Sequence, residues 1–191
     1  MAERIQYSVS NLQIQPLAEG TDLSSFSCGN EELDKFFREE ITLCQRYKYV
    51  SVYGVSDIKT HEILALFTLS NDALIIESED DLSDFVESET CEVNQEYQEI
   101  FGKQSSFPAI NIGHLAVRTE KQRMGIGQFV VEYLIATFLH YGMAGCQYIT
   151  VDSLNNPDTN KFYCRNGFNY QTNCDMNCQT RRMYLSLLKY L

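Results

Sequence analysis

The stretch Leu115-Ala-Val-Arg-Thr-Glu-Lys-Gln-Arg-Met-Gly-Ile-Gly127 decides the fold of this chain. Its apolar beginning predicts the end of a β-strand, and its last residues predict a turn that opens into an amphipathic helix. Such a turn presents free backbone N–H groups, at the positive end of a helix dipole, to an anion. Gly125 and Gly127 keep side chains away, so that a phosphate can approach the backbone. The stretch therefore predicts a site for a pyrophosphate-bearing ligand.

Two common nucleotide motifs do not fit this turn. A Walker loop needs Gly-Lys-Ser or Gly-Lys-Thr, and the dinucleotide motif Gly-x-Gly-x-x-Gly has Val130 at its third glycine position. The remaining candidate ligands are other molecules that carry a pyrophosphate.

The run Gln122-Arg-Met-Gly-Ile-Gly127 resembles the Gln/Arg-x-x-Gly-x-Gly/Ala motif of the GNAT N-acetyltransferases. In that family the motif holds the pyrophosphate of acetyl-coenzyme A, and the strand before it pairs with the pantetheine arm. Downstream, Asn156 and Phe162-Tyr-Cys-Arg-Asn-Gly-Phe168 resemble the family's Asn…Phe/Leu-Tyr-x-x-x-Gly-Phe segment. The residues that the resemblance assigns to the coenzyme are Leu115, Ala116, Val117, Gln122, Arg123, Met124, Gly125, Ile126, Gly127, Gln128 and Asn156.

A narrower resemblance is to the toxin-type branch of this family. Phe26-Ser-Cys-Gly-Asn30, followed by Leu33-Asp34, is similar to the branch's entry to its first helix. Gly113-His-Leu-Ala-Val117 is similar to its Gly-Arg-Leu-Ala-Val, with His114 where arginine is common. In that branch the acceptor is the amino group of a charged transfer RNA, and the partner is a ribbon-helix-helix antitoxin.

The order of secondary structure also follows from the residue pattern. The pattern predicts a strand from Leu12, a helix over Glu31–Arg46, and a β-hairpin from Tyr49–Val55 and Ile63–Leu69. Further elements are a strand over Ala109–Val117, the helix after the glycine turn, a strand from Tyr148, a short helix from Asn156 and a last strand from Arg182. The resemblance implies a mixed α/β (α+β) GNAT fold with six to seven strands and about four helices, in a single domain over residues 1–191.

The net charge of −11 is concentrated in one segment. Residues 77–99 hold ten acidic side chains and no Lys or Arg, so the other 168 residues carry a net charge of about −1. We interpret residues 77–104 as an acidic insertion, with a short helix near Asp81–Val86. It is either a solvated excursion or an acidic lip that attracts a cationic acceptor.

Composition limits the other classes of site. The seven cysteines are scattered and odd in number, which favours free thiols in a reducing compartment. Cys174 and Cys178 lack the further ligands of a zinc site, so we expect no metal. No apolar run approaches the roughly 20 residues that cross a bilayer, and no secretory leader is recognised. These features predict a cytoplasmic protein without a membrane partner.

Acetylation of an amine needs a base for the amine and an acid for the leaving thiolate. The resemblance assigns the acid to Tyr163, which in the family lies beside the sulfur. His114 has a suitable intrinsic pKa for the base, but Asp152 and a chain of water molecules remain alternatives. We interpret Arg123 as a pyrophosphate contact, and Arg118 and Lys121 as surface charges near the adenosine 3′-phosphate.

The acceptor stays open at this stage. The first hypothesis is direct acetyl transfer to a primary amine of a small molecule or peptide. The second is a toxin that acetylates aminoacyl-tRNA; the acidity of the chain argues against a polyanionic partner, although Lys35, Arg38, Arg46 and Lys48 offer basic groups. The third is a coenzyme-binding module without catalysis. A homodimer paired through the apolar C-terminal strand is a further expectation.

Overall fold

The computed structural model describes residues 9–77, 79–90, 93 and 95–191, with the backbone alone for residues 9 and 79–81. These residues form two compact units. The first contains the described residues up to Ser70 together with Ile112–Leu134, and the second contains Asn71–Asn111 and Ile135–Leu191. The sequence-based expectation of a single domain remains a prediction.

The described residues contain seven strands in one sheet, in the order β1-β2-β3-β4-β5-β7-β6. The strands are β1 Leu12–Pro16, β2 Ser51–Asp57, β3 Ile63–Ile75, β4 Ser106–Val117, β5 Tyr148–Leu154, β6 Asn169–Tyr170 and β7 Thr180–Ser186. The helices are α1 Glu31–Lys35, α2 Ile41–Arg46, α3 Glu79–Thr90, α4 Gln95–Phe101, α5 Ile126–Leu139 and α6 Pro157–Arg165. The chain passes from β4 to its neighbour β5 through α5.

In the first unit, β1, β2 and the start of β3 pair antiparallel as the alternating pattern predicts. Pro16 ends the edge strand β1, where a missing N–H does not break the sheet. Strand β3 is longer than predicted because it continues to Ile75, past the apolar run that marked it in the sequence.

The predicted helix over residues 31–46 is confirmed, with one difference. Between α1 and α2, residues Phe36–Glu40 form a π-helical turn, in which the Ile41 N–H donates to the Phe36 carbonyl five residues back. The extra residue in this turn rotates the helix surface, and such turns are frequent at functional sites.

The loop before α1 is tied to the helix by one carboxylate. Asp34 is 4% exposed and accepts hydrogen bonds from the Ser27 hydroxyl at 2.6 Å and the Cys28 N–H at 2.7 Å. The Asn30 side chain caps α1 by accepting from the Leu33 N–H at 3.1 Å. The segment that resembles the toxin-type branch is therefore a structural brace for the first helix.

In the second unit, the acidic segment is not the solvated excursion that its charge suggested. It contains α3 and α4, because apolar side chains at helical spacing give each helix a face to bury. Phe85 and Phe101 are 8% and 1% exposed and pack against Phe107, Tyr148 and Tyr184. The expected short helix near Asp81–Val86 is the middle of α3. Residues 78, 91, 92 and 94 of this segment lie outside the described residues.

Substitution Phe101→Leu is expected to lower the free energy of unfolding by about 1–2 kcal/mol, since it removes ring contacts within this aromatic cluster. Ile100→Ala, at a neighbouring position of α4 that is 55% exposed, is the matched control, with a change of at most about 0.5 kcal/mol. Urea denaturation of both variants measures the difference. Equal stabilities would contradict the packing of α4 onto this cluster.

The last strand, β7, pairs antiparallel with β5 along its length and with β6 at Met183 and Tyr184. The two-residue strand β6 was not predicted, since two residues carry no recognisable alternation. It covers the β7 edge at Met183 and Tyr184 only, and the homodimer paired through the C-terminal strand remains a prediction.

Candidate active site

The turn ahead of α5 has the geometry that its glycines predicted. Gly125 has φ of +89° and Arg123 has φ of +62°, so both lie in the left-handed region that favours glycine. Among the described residues, the N–H groups of residues 124–127 donate to no backbone carbonyl, as expected at a helix start. These N–H groups, at the positive end of the 14-residue α5, fit a pyrophosphate.

Two side chains of this segment are engaged within the first unit. The amide of Gln122 donates to the Cys28 carbonyl at 2.7 Å and the Val117 carbonyl at 3.1 Å. Arg118 donates to the carbonyls of Ile63 and Ser25 at 3.0 and 2.9 Å. The expectation that Arg118 is a surface charge is therefore wrong: its side chain is 14% exposed and braces the loops beside β4.

The other predicted coenzyme residues of this unit differ in what they can offer. Ala116 and Ile126 are 2% and 1% exposed, so neither side chain can contact a ligand in this structure. Gln128 donates to Glu132 at 2.8 Å on the exposed face of α5. Leu115, Val117, Met124 and Gly127 are half-buried.

His114 lies on β4, immediately before the residues 115–117 of the same strand that are predicted to contact the coenzyme. Its ring stacks on Phe36 of the π-helical turn, with centroids 3.7 Å apart and planes at 14°, and meets the edge of Phe37 at 6.1 Å. Its Nδ1 lies 3.2 Å from the hydroxyl of Thr68 on β3. Burial lowers the pKa of His114, against a smaller opposite effect of the Glu40 carboxylate. The ring is therefore held in place and neutral at pH 7.

In the second unit, α6 positions Tyr163. The Asn156 side chain caps the helix by accepting from the Thr159 N–H at 2.9 Å, and Pro157 follows in the first turn. Beyond the helix, Gly167 has φ of +88° and the Phe168 N–H donates to the Tyr163 carbonyl at 3.1 Å. The Asn…Tyr…Gly-Phe segment thus forms one capped helix and its turn.

Tyr163 is 5% exposed and lies between the rings of Phe162 and Phe168, whose centroids are 5.0 and 5.2 Å away. Within the described residues its hydroxyl has no hydrogen-bond partner. Burial raises the pKa of Tyr163. The phenol therefore keeps its proton at neutral pH and has a free donor to offer, as a general acid requires.

The sequence did not single out a polar cluster on the sheet of the second unit. The Arg182 guanidinium pairs with Asp72, and with Asp152 at 3.1 Å; the Thr150 hydroxyl donates to Asp72, and the Asn111 amide donates to Thr150 at 3.3 Å. Burial opposes ionisation of Asp72, but the hydrogen bonds and Arg182 outweigh it and lower its pKa. The ion pair engages Asp152, which argues against its role as a base. The signal in the sequence that could have found this cluster is the presence of polar residues inside otherwise apolar strands.

Neither a metal centre nor a membrane span is found in the part of the chain that the structure describes. No group of three or more His, Cys, Asp or Glu side chains there could hold a metal ion. None of its helices combines the length and the apolar character needed to cross a bilayer. Six cysteines are free thiols, and Cys91 lies outside the described residues.

A family profile described as the acetyltransferase (GNAT) domain matches residues 74–170, a span that includes His114, the glycine turn and Tyr163. The chain belongs to the GNAT acetyltransferase family. The family and fold predicted from the glycine turn and the Asn156–Phe168 segment are thereby confirmed. Comparison with curated proteins gives no match.

Solved structures extend the GNAT likeness to almost the whole chain. A tyrosine-to-phenylalanine variant of KacT has a TM-score of 0.70 at 18% identity, over 94% of this chain and 98% of that one. A structure described as a bacterial toxin has a TM-score of 0.69 at 17% identity, over 93% and 92% of the two chains. AtaT complexed with acetyl-methionyl-tRNAfMet has a TM-score of 0.65 at 18% identity, over 94% and 96%. At these identities the likeness concerns the fold.

Proposed function

We propose that this GNAT protein transfers an acetyl group from acetyl-coenzyme A to a primary amine. The observation that carries the proposal is that, in the part of the chain that the structure describes, the N–H groups of residues 124–127 at the start of α5 donate to no backbone carbonyl. They fit the pyrophosphate of the coenzyme, and Gly125, at a positive φ that favours glycine, puts no side chain in the way of the phosphate. When bound, the coenzyme supplies the thioester, and residues 115–117 offer backbone groups to its arm.

Tyr163 is the proposed general acid, which gives its proton to the coenzyme thiolate as the tetrahedral intermediate collapses. The buried, protonated phenol with its free hydroxyl supports this role. A thiol leaving group has a pKa near ~8.5, so a proton donor at the sulfur lowers the barrier. His114 is the second residue that we propose to act on the reacting groups. Asn156 contributes by capping the helix that carries Tyr163.

For the acceptor, we propose the α-amino group of an aminoacyl-tRNA. The full-length likeness to AtaT, which was solved with acetyl-methionyl-tRNAfMet, supports this choice. The buried Phe26 and the Asp34 brace, which resemble the toxin-type branch, support it as well. An antitoxin is then the expected partner, as in the AtaT structure bound to the C-terminus of AtaR. Since these substrates are cytoplasmic, a cytoplasmic location is part of the proposal.

Expression in a bacterial host tests this acceptor. We expect growth to stop after induction of the wild-type chain and to continue with Tyr163→Phe, because acetylated aminoacyl-tRNA cannot serve as an ordinary donor of its amino acid. Mass spectrometry of the aminoacyl ends of total tRNA reports the added acetyl group. Unimpeded growth together with active protein and unmodified tRNA would overturn the tRNA proposal.

A small or peptidic amine is the second candidate, favoured by the net charge of −11. A chain this acidic repels a polyanion at long range and attracts a cationic amine. Thiol release from acetyl-coenzyme A, measured with a panel of polyamines, amino-acid esters and peptides, separates the candidates. Faster turnover with a free amine than with aminoacyl-tRNA would favour the small or peptidic amine as the acceptor. Coenzyme A binding without thiol release for any acceptor would instead identify a non-catalytic binding module.

A further inference from the structure

Thr68 is an exception in an otherwise apolar stretch of the sheet. Its neighbours along β3, from Leu64 to Phe67, are fully buried, and Thr68 is itself 0% exposed. A hydroxyl at such a position has to find its partners inside the protein. Among the described residues, its one hydrogen-bond partner is Nδ1 of His114 at 3.2 Å.

The direction of this hydrogen bond determines the state of the imidazole. If Nδ1 carried the proton, Thr68 would accept it and its own O–H would be left without an acceptor, which costs about 1–3 kcal/mol in a buried site. If the Thr68 O–H donates to Nδ1, the hydroxyl donor is satisfied. A neutral ring whose Nδ1 accepts has its proton on Nε2. The buried environment therefore favours the Nε2–H tautomer.

The surroundings of the ring also favour its neutral form. Phe36 covers one ring face and Phe37 approaches edge-on, and neither offers a counter-ion to an imidazolium. Among the described residues, Glu40 at the end of the π-helical turn is the charged group that acts on the ring, and it is exposed to solvent. A neutral histidine with its donor nitrogen turned away from Thr68 can hydrogen-bond to an oxygen atom but cannot readily take a proton.

We infer that Thr68 is a positioning residue that holds His114 as the neutral Nε2–H tautomer, so that His114 donates a hydrogen bond to a substrate oxygen and is not the general base. The inference rests on the proposed acetyl transfer for its catalytic part, since the donated bond would stabilise negative charge that develops on a carbonyl oxygen. No proton is transferred at His114. Removal of the amine proton is then left to water, and turnover follows the ionisation of the amine itself.

Nitrogen NMR of the full chain with labelled histidine tests the tautomer without any acceptor. We expect His114 to be protonated at Nε2 and to titrate below ~6.5, the value of an unperturbed imidazole. Exposed His61 and His140 give reference signals in the same spectrum. Thr68→Val should raise the titration midpoint, because it removes a hydrogen bond to the neutral form, whereas Thr68→Ser should keep it. A proton on Nδ1 in the wild-type chain, or no change in Thr68→Val, would overturn the inference.

The kinetics of two His114 variants test whether His114 acts as a hydrogen-bond donor or as a base. His114→Ala can neither donate a hydrogen bond nor act as a base. It is expected to lose about 10²–10³ in kcat, the usual loss for one oxyanion donor. His114→Gln keeps an N–H donor but cannot act as a base, and should recover at least about tenfold of that loss. Equal losses in both variants would identify a base and overturn the inference. Full activity of His114→Ala would refute a catalytic role. If the wild-type chain acetylates no acceptor, the proposed function fails, while the NMR result still decides the tautomer.

Discussion

Substitution Tyr163→Phe is expected to lower kcat/KM for acetyl transfer by about 10²–10⁴ and to leave coenzyme A binding unchanged. This loss equals the usual contribution of one general acid to the rate, since the change removes only the hydroxyl that would protonate the thiolate. The ring of Tyr163 packs between Phe162 and Phe168, and its hydroxyl has no hydrogen-bond partner among the described residues. The fold should therefore tolerate the change, with a shift in Tm below about 2–4 °C, the shift that corresponds to about 1 kcal/mol.

Thiol release from acetyl-coenzyme A with aminoacyl-tRNA as acceptor measures the rate, and calorimetry measures coenzyme A binding. Tyr141→Phe, at a position that is 45% exposed, is the control for the loss of a hydroxyl elsewhere in the second unit. The wild-type rate should also persist above pH ~10, the ordinary pKa of a tyrosine, because burial raises the pKa of Tyr163 and its acid form survives there. A folded variant with wild-type kcat would refute the acid role.

Substitution Gly125→Val is expected to weaken coenzyme A binding at least tenfold, which corresponds to about 1.4 kcal/mol. A β-branched residue is strained at the Gly125 φ of +89°, and its side chain would stand where the phosphate approaches the backbone. The helix start would have to rearrange or the ligand would have to move away. Either change removes hydrogen bonds from the N–H groups of residues 124–127.

The variant Gly20→Val separates the effect of backbone strain from the effect of a side chain at the glycine turn. Gly20 has φ of +78°, and no atom lies within 4 Å of an added Cβ, so the variant carries backbone strain in the same unit without a change at the turn. We expect Gly20→Val to lower Tm and to retain coenzyme A affinity, as measured by calorimetry. Wild-type affinity in a folded Gly125→Val protein would place the pyrophosphate elsewhere.

Predictions from local signals were confirmed. The predicted helix over residues 31–46 is capped by Asn30, and the short helix predicted from Asn156 is capped by that residue. Both caps are visible in the sequence because a capping side chain bonds to an N–H only a few residues away. The glycine turn was recognisable for the same reason: Gly125 relieves a strain that arises within the turn itself.

The predictions that failed depended on partners far along the chain. Arg118 was expected at the surface, but it bonds to a carbonyl 93 residues away, that of Ser25. The acidic segment was interpreted as either a solvated excursion or an acidic lip, and the first alternative is wrong because Phe85 packs against Tyr184, almost a hundred residues later. The density of charge is the most visible property of this segment in the sequence. Whether the segment folds onto the sheet is decided instead by the burial of two aromatic rings.

The sequence by itself determined the GNAT family, the glycine turn and the helix that carries Tyr163, because backbone strain and capping depend on neighbouring residues. Only the tertiary structure decided the state of His114. Thr68 precedes it by 46 residues, and Phe36 stacks on it because of a π-helical turn that no pattern predicts. The proton on an imidazole follows the hydrogen bond and the burial around it, and both are created when distant strands and helices pack together.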